Sequence, residues 1–314
     1  MMLIYVLYFI LAAAVLTISA TTIVKSLVKI AHFMKISEFT AAFIIMALAT
    51  SSPELFVGIS SALSNNSAIS LGNVVGASII DLTLFIGIFT LVGRGIKIKP
   101  GNLGKNIYHV IFPIILLLIL YIINNSLSRI DGIILLAFFV LNSHGMFKRS
   151  KKYKSRFREN HSKNKHIVYI SFIFILSIFV LFFSSHYAVK YASLIAEDLK
   201  LPKILVGLFL LSLATSLPEL VFGLNAIKMR HKILALGDIT GGVITNLTLV
   251  TGLVALISPI QANFTQFIIS AAFLFISAFI FITFLKSDRE IRTGEGIALI
   301  LLYIFFIIIE FFLK

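Results

Sequence analysis

Two short stretches of this chain carry residues that could do chemistry together. Leu48-Ala49-Thr50-Ser51-Ser52-Pro53-Glu54-Leu55 returns as Leu213-Ala214-Thr215-Ser216-Leu217-Pro218-Glu219-Leu220, 165 positions later, with seven of eight positions unchanged. Each copy sets a hydroxyl pair, a helix-breaking proline and a carboxylate inside an apolar run. A carboxylate in a membrane helix costs roughly 2.5–3.5 kcal/mol on insertion scales unless something compensates it. At the same offset, Leu71-Gly72-Asn73-Val74-Val75-Gly76-Ala77-Ser78-Ile79-Ile80-Asp81-Leu82-Thr83-Leu84 aligns with Leu236-Gly237-Asp238-Ile239-Thr240-Gly241-Gly242-Val243-Ile244-Thr245-Asn246-Leu247-Thr248-Leu249. Two aligned positions exchange type: Asn73 with Asp238, and Asp81 with Asn246.

No lysine or arginine accompanies these acids, so Glu54, Asp81 and Glu219 either bind protons or hold a cation among them. Pro53 and Pro218 lack the amide proton that would bond one turn back, at Ala49 and Ala214. Those two carbonyls are therefore expected as further oxygen ligands lining a cavity. Carboxylates, threonine hydroxyls, an asparagine carbonyl and free backbone carbonyls are hard donors. They suit Ca²⁺, which takes about 6–8 oxygens at about 2.3–2.6 Å, or Na⁺. The chain has no cysteine, which excludes thiolate chemistry and disulfides. His32, His109, His144, His161, His166, His186 and His231 are expected near helix ends or in loops, so a soft transition-metal site is not expected. Thr83 and Thr248 read as hydroxyls bonded to their own helices, and Gly72, Gly76, Gly237 and Gly241 as close helix-packing positions. Asp238 is left open between a helix N-cap, a proton site and part of a vestibule.

Elements that can position such residues are written across the whole chain. It has 314 residues, 59% hydrophobic, 13% charged, with thirty Phe and a mean hydropathy of +1.05. Soluble domains average about 25% charged residues, so the chain reads as an all-α polytopic membrane protein. A spanning helix takes about 20 apolar residues, and ten runs qualify: 3–24, 37–63, 69–93, 106–124, 129–147, 167–190, 202–227, 233–257, 263–285 and 294–313. Met1-Met2-Leu3-Ile4 has no basic n-region, so the first run reads as a retained helix. Thr50, Thr215 and Asp81 fall at the centres of their runs, and Asn246 nearly so. Glu54 and Glu219 lie about 6 Å further along.

The net charge of +14 lies in the connections. One face of the membrane receives Lys25, Lys29, Lys35, Arg94, Lys97, Lys99, Lys105, the nine basic residues of 148–165, Lys228, Arg230, Lys232, Lys286, Arg289 and Arg292. The other receives only Arg129, Lys190, Lys200, Lys203 and Lys314. The positive-inside rule makes the first face cytoplasmic and puts both termini outside. This split argues against nucleic-acid binding. The segment 148–166 reads as a topology-enforcing cytoplasmic linker, or a lipid-headgroup or partner site, between a first five-helix repeat (1–147) and a second (167–314). Five helices per half make the halves run oppositely, the inverted repeat common in secondary transporters. The two glutamates then face a common centre from either side of the midplane. An intramembrane aspartyl protease built on Leu236-Gly237-Asp238 and Asp81 would leave the duplicated glutamate motif without a role. A channel would not need inverted repeats with broken helices.

At these residues the sequence resembles the sodium/calcium exchanger family, within the calcium/cation antiporter superfamily. The resemblance implies ten helices in two inverted five-helix repeats, with the second and third helices of each repeat forming the ion sites. It places the family's central glutamates on Glu54 and Glu219, and its hydroxyl and backbone ligands on Ala47, Thr50, Ser51, Ser212, Thr215 and Ser216. Its mid-site Asn/Asp pair falls on Asp81 and Asn246. Ca²⁺ would be held by Glu54, Glu219, Thr50 and Thr215, with Asn73 and Asp238 as accessory candidates. The implied activity is exchange of Ca²⁺ for Na⁺ across the cell membrane by alternating access, with the first and sixth helices moving. The alternative is a proton-coupled Ca²⁺ or cation antiporter. No resident cofactor is expected. The chain departs from the family where the usual Gly-Ser-Asn reads Gly76-Ala77-Ser78 and Gly241-Gly242-Val243, without the two serines that help hold sodium. The Asn/Asp pair is also exchanged between repeats relative to simple microbial exchangers. The Gly-Asn-x-x-Glu pattern of the proton-coupled branch is absent. The linker is too short for the regulatory domains of large animal exchangers.

Overall fold

A computed structural model describes residues 2–33, 47–97, 107–150, 164–287 and 290–312. The first part of the second apolar run and most of the basic linker lie outside the described residues. Helix covers all or part of each of the ten expected runs: α1 (Met2–Phe33), α2 (Ala47–Thr50) with α3 (Ser52–Leu63), α4 (Ser67–Ile80) continuing to α5 (Ile86–Val92), α6 (Ile111–Asn124) and α7 (Arg129–Ser150). The second half follows as α8 (Asn164–Asp198), α9 (Lys203–Val206) with α10 (Ser212–Thr215) and α11 (Leu217–Lys228), α12 (Lys232–Thr245) continuing to α13 (Thr251–Ile257), α14 (Phe264–Ser287) and α15 (Thr293–Phe312). Six of these helical stretches are long and apolar enough to cross a membrane alone, and Lys203–Lys228 forms a seventh, bent by 42° at its break. The large lipid-facing surface of α1, α8 and α15, with exposed Leu3, Phe172, Phe179 and Phe305, is what a membrane-spanning bundle presents.

The two ends of the bundle are identified by contacts between the halves. At one end Lys203 Nζ donates to Asn66 Oδ1, and Leu127 pairs with Ile260 through two backbone hydrogen bonds of 2.9 Å. At the opposite end, where α7 runs out toward the linker, strands β1 (Ile96–Lys97) and β2 (Glu290–Ile291) pair antiparallel, with Lys97 and Glu290 3.3 Å apart. There Lys232 Nζ also donates to Gly93 O at 2.7 Å and Gly95 O at 2.6 Å. Helix α3 therefore finishes at the end where α9 begins, so the two motif-bearing helices run oppositely. Stacking of Tyr8 on Tyr191, 5.0 Å between ring centres, sets the start of α1 beside the finish of α8, at the end away from the linker.

Most of the core falls into two clusters, beside a small third of Val24, Ala49 and Phe222. The larger joins α4 to α7 with α12 to α15, and the smaller joins α1 and α8 to the breaks at the centre. Close approach between the repeats is set by glycine. A Cβ added at Gly72 or Gly76 would run into the backbone of Ile204 or Leu208, and one at Gly207 into the backbone of Ile69 and Asn73. The packing role expected for Gly72 and Gly76 is what the structure assigns them. Helix starts follow local chemistry: Ser128 N and Oγ both donate to Asp131 Oδ2, at 2.8 and 2.7 Å, and Asp131 N returns a bond to Ser128 Oγ, a capping box.

Two expectations are corrected. Helices α1 and α8 reach 32 and 35 residues, well beyond runs 3–24 and 167–190, because Lys, His and Tyr continue a helix while their polar ends leave the lipid. His186 accordingly lies inside α8, not at a helix end, with its side chain exposed on the outer face.

Candidate cation site

Each motif helix breaks at its serine. Ser51 (φ −75°, ψ 5°) separates α2 from α3, and Ser216 (φ −82°, ψ 0°) separates α10 from α11. The prolines sit in the first turn of the following helix, where a missing N–H costs nothing. Glu54 and Glu219 fall in that same turn, near the positive end of the helix dipole. The neighbouring helices are deformed at matching places. A π-turn begins at Asp81 (Asp81–Phe85) and another at Asn246 (Asn246–Val250), again 165 residues apart. Wide turns at functional residues are a recurrent device, and a third, Gly207–Leu211, leads directly into Ser212 in the second repeat.

These elements bring nearly all the expected site residues together. Thr50, Ser51, Glu54, Asn73, Asp81, Ser212, Thr215, Ser216, Glu219, Asp238 and Asn246 are at most 1% exposed. The repeats are stitched by a reciprocal pair of hydrogen bonds. Thr50 Oγ1 donates to Asp238 Oδ1 at 3.1 Å, and Thr215 Oγ1 donates to Asn73 Oδ1 at 3.1 Å. Asp238 is thereby a buried member of the site in mid-helix. The N-cap reading is wrong, because His231 occupies that position of α12. Glu54 faces the Thr215 and Ser216 hydroxyls across the repeats without closing a hydrogen bond to either. Glu219 lies within electrostatic reach of Glu54, Asp81 and Asp238, and Asp81 within reach of Glu54 and Asp238.

The site thus holds four carboxylates, one more than the three counted from sequence. No lysine, arginine or histidine is buried among the described residues. Two unit charges about 5 Å apart repel by about 3 kcal/mol at an effective dielectric near 20, so the cluster demands compensation. Its polar atoms point the same way. Ser51 Oγ, both oxygens of Glu54, Asn73 Nδ2, Asp81 Oδ1, Ser216 Oγ, Glu219 Oε2, Asp238 Oδ2 and Asn246 Oδ1 are buried without a hydrogen-bond partner. Buried polar groups are paired in the large majority of cases, and each orphan costs about 1–3 kcal/mol. Eight of these nine atoms are oxygens, which fits a hard cation. Among the described residues no three Asp, Glu or His side chains close on a single point. A divalent ion would therefore be shared by two carboxylates and completed by neutral oxygens.

Several sequence expectations divide here. Thr83 and Thr248 bond back to the carbonyls of Ile79 and Ile244, as expected. The carbonyls released by the prolines have hydroxyl neighbours: Ser52 Oγ donates to Ala49 O at 2.7 Å, and Thr17 Oγ1 of α1, bonded to Ala13 O at 2.8 Å, also reaches Ala214 O at 3.3 Å. The Ser212 hydroxyl closes on Leu208 O one turn back, and its carbonyl accepts from Ser216 N at 3.0 Å beside Thr215 Oγ1 at 3.3 Å. Ala47 opens α2. Two features escaped the sequence reading. Thr17 brings α1 onto the second break, and a lone threonine in an apolar run carries no signal of that. Glu310, buried and bonded to Ser270 Oγ, is a second kind of intramembrane acid that its apolar surroundings could have flagged.

A family profile described as sodium/calcium exchanger protein matches residues 4–144 and again 169–312. The sodium/calcium exchanger MaX1 of Methanosarcina acetivorans is 24% identical, across 92% of this chain and 93% of its own length. The putative antiporter CaxA of Alkalimonas amylolytica is 29% identical, across 80% of each chain. The solved structure of the sodium-calcium exchanger NCX_Mj, soaked with 2.5 mM Na⁺ and 10 mM Sr²⁺, superposes with a TM-score of 0.70 at 26% identity, covering 98% of this chain and 99% of that one.

Proposed function

The chain belongs to the sodium/calcium exchanger family, and from that premise we propose that this membrane cation antiporter exchanges Ca²⁺ for Na⁺ at the carboxylate cluster between its two repeats. The observation that carries the reading is the set of orphaned, fully buried oxygens centred on Glu54 and Glu219. Two glutamates from oppositely directed helices supply two formal charges for one Ca²⁺. Thr50, Thr215, Ser51, Ser216 and Asn246 supply the remaining, neutral oxygens, a number suited to Ca²⁺ coordination. Sodium ions compete for the same oxygens. Because the cluster is unfavourable when bare and crowded when loaded with both ions, it changes sides carrying one kind or the other, which couples the two fluxes.

The moving part is the pair α1 and α8, packed along one another over their own core. They cover the breaks on the lipid side, and Thr17 ties α1 to Ala214 O. Sliding of this pair over the rest would open the centre to one end of the bundle and then the other. The end bearing the basic linker is the cytoplasmic one by its excess of Lys and Arg, with both termini outside.

The test is Ca²⁺ uptake into proteoliposomes driven by an outward Na⁺ gradient. Uptake that needs the gradient, and that Glu54→Gln or Glu219→Gln abolishes, supports the exchange. Uptake driven by a proton gradient and indifferent to Na⁺ replaces the counter-ion with H⁺. Uptake with no counter-gradient contradicts antiport altogether.

A further inference from the structure

The seam between α1 and α8 opens on the lipid side into a groove with a volume of about 630 Å³. Its floor is made of small buried side chains, Ala12 and Ser184. Its walls are larger and exposed: Leu11 and Val15 on α1, Phe179 and Phe183 on α8. Small residues under tall ones leave a channel along the pair. The Ser184 hydroxyl donates to Leu181 O of its own helix at 3.0 Å, so the floor presents no unpaired polar group. No Asp or Glu lines the groove.

The end of the groove away from the linker has different chemistry. Tyr8, Tyr187 and Tyr191 line it, with Tyr191 stacked on Tyr8 at 5.0 Å and on Tyr187 at 6.4 Å. Lys190 Nζ lies 5.9 Å from the centre of the Tyr191 ring, and the His186 ring packs edge-on against Tyr187 at 5.7 Å. Both Lys190 and His186 are exposed. Tyrosines gather where a membrane meets water, and a lysine there sends its ammonium to the headgroup level.

Below that rim the lining follows α8 from Tyr191 to Leu176, about 22 Å of helix. One leaflet holds roughly 15 Å of hydrocarbon, half the thickness of the core. Spread over that length, 630 Å³ gives a cross-section of about 29 Å², against about 80 Å² for a helix about 10 Å across. The groove is too narrow for a partner helix and takes a single hydrocarbon chain.

We propose that it holds one phospholipid of the leaflet away from the linker, with an acyl chain along Ala12 and Ser184 and the phosphate on Lys190 beside the tyrosine rim. A cation at the interface, above a long apolar channel without carboxylates, is the complement of a lipid with an anionic head. Because both helices wall the channel, its occupant stays when the surrounding lipid is exchanged for detergent. The site stands whichever ions are exchanged at the centre.

The test is native mass spectrometry of the full-length protein in detergent, titrated with phosphatidylglycerol. One lipid is expected to bind per chain, at lower concentration than dioleoylglycerol, which has the chains without the phosphate. Lys190→Ala weakens phosphatidylglycerol about fivefold, the worth of one lysine near an anionic lipid surface. Ala12→Leu raises the floor and lowers retention of both lipids, with the melting temperature read alongside to confirm the fold. Lys190 is exposed, so its variant decides the matter should Ala12→Leu unfold. The proposal is overturned by equal retention in the parent and the Lys190→Ala protein, by equal retention of the diacylglycerol, or by a dimer whose contact covers Tyr8 and Phe183 instead.

Discussion

Replacing Thr50 with valine is expected to cost the fold about twice as much as replacing Thr215. The two threonines occupy repeat-related positions, both fully buried, and both donate at 3.1 Å to a side-chain oxygen of the opposite repeat. The acceptors differ, Asp238 in one case and Asn73 in the other, and the Thr215 hydroxyl is shared with Ser212 O at 3.3 Å, which weakens its cross-repeat bond further. A hydrogen bond to a charged group contributes about 1.5–3 kcal/mol and a neutral one about 0.5–1.5. Valine at position 50 would also leave Asp238 without any bond from Thr50, while its Oδ2 is already unpartnered. The losses are then about 2–3 kcal/mol for Thr50→Val and about 1 kcal/mol for Thr215→Val. At roughly 2–4 °C per kcal/mol for a large domain, the melting temperatures differ by about 3 °C or more. The assay is thermal unfolding in detergent, in buffer containing Na⁺, so that a cation and not a proton compensates the buried acids. On an Asp238→Asn background the Thr50→Val loss should fall to that of Thr215→Val. Equal losses in the parent protein would refute the reasoning, because they would mean that Asp238 carries no charge at that bond.

Other consequences follow from the packing and the ends. Gly207→Ala puts a methyl group into the backbone of Ile69 and Asn73 and is expected to lose about 1–3 kcal/mol by overpacking, read as a lower melting temperature. Gly294→Ala, with nothing within 4 Å, is neutral or gains up to about 1 kcal/mol from helix propensity. Gly242→Ser meets no clash and offers a hydroxyl beside Ser51 and Asp81. It folds normally and lowers the Na⁺ needed for half-maximal flux by roughly tenfold, the scale of one added contact to an ion. Lys232→Met removes two charge-assisted bonds to the carbonyls of Gly93 and Gly95 and lowers the melting temperature distinctly more than Lys97→Ala. The latter breaks only a largely exposed ion pair, a kind worth little.

The fold was legible in the sequence because its two strongest signals are long-range in different ways. Apolar runs of about 20 residues record the lipid thickness, and the 165-residue echo records the duplication. Helix ends were less legible, since hydropathy marks where lipid stops and not where the backbone stops being helical. Hence α1 and α8 outrun their apolar stretches. Within the site, Glu54, Asp81, Glu219 and their hydroxyl neighbours could be picked out, because intramembrane polar residues are costly and these are repeated. Asp238 was left open between a cap and the site, since depth counted along one helix does not reveal that Thr50 of the other repeat meets it. The carbonyls of Ala49 and Ala214 were read as free because the proline rule sees only the lost amide. The hydroxyls of Ser52 and Thr17 that replace it come from a neighbouring turn and from a distant helix.

The central claim is that Glu54 and Glu219 hold the transported divalent ion jointly. Crystals of the protein soaked in Ca²⁺ and measured at long wavelength test this most directly. The account predicts one strong anomalous peak within about 2.3–2.6 Å of a carboxylate oxygen of each glutamate, weakening as Na⁺ replaces Ca²⁺ in the soak. A peak bound to only one of the two, or a lysine or arginine side chain filling the space between them, would contradict it.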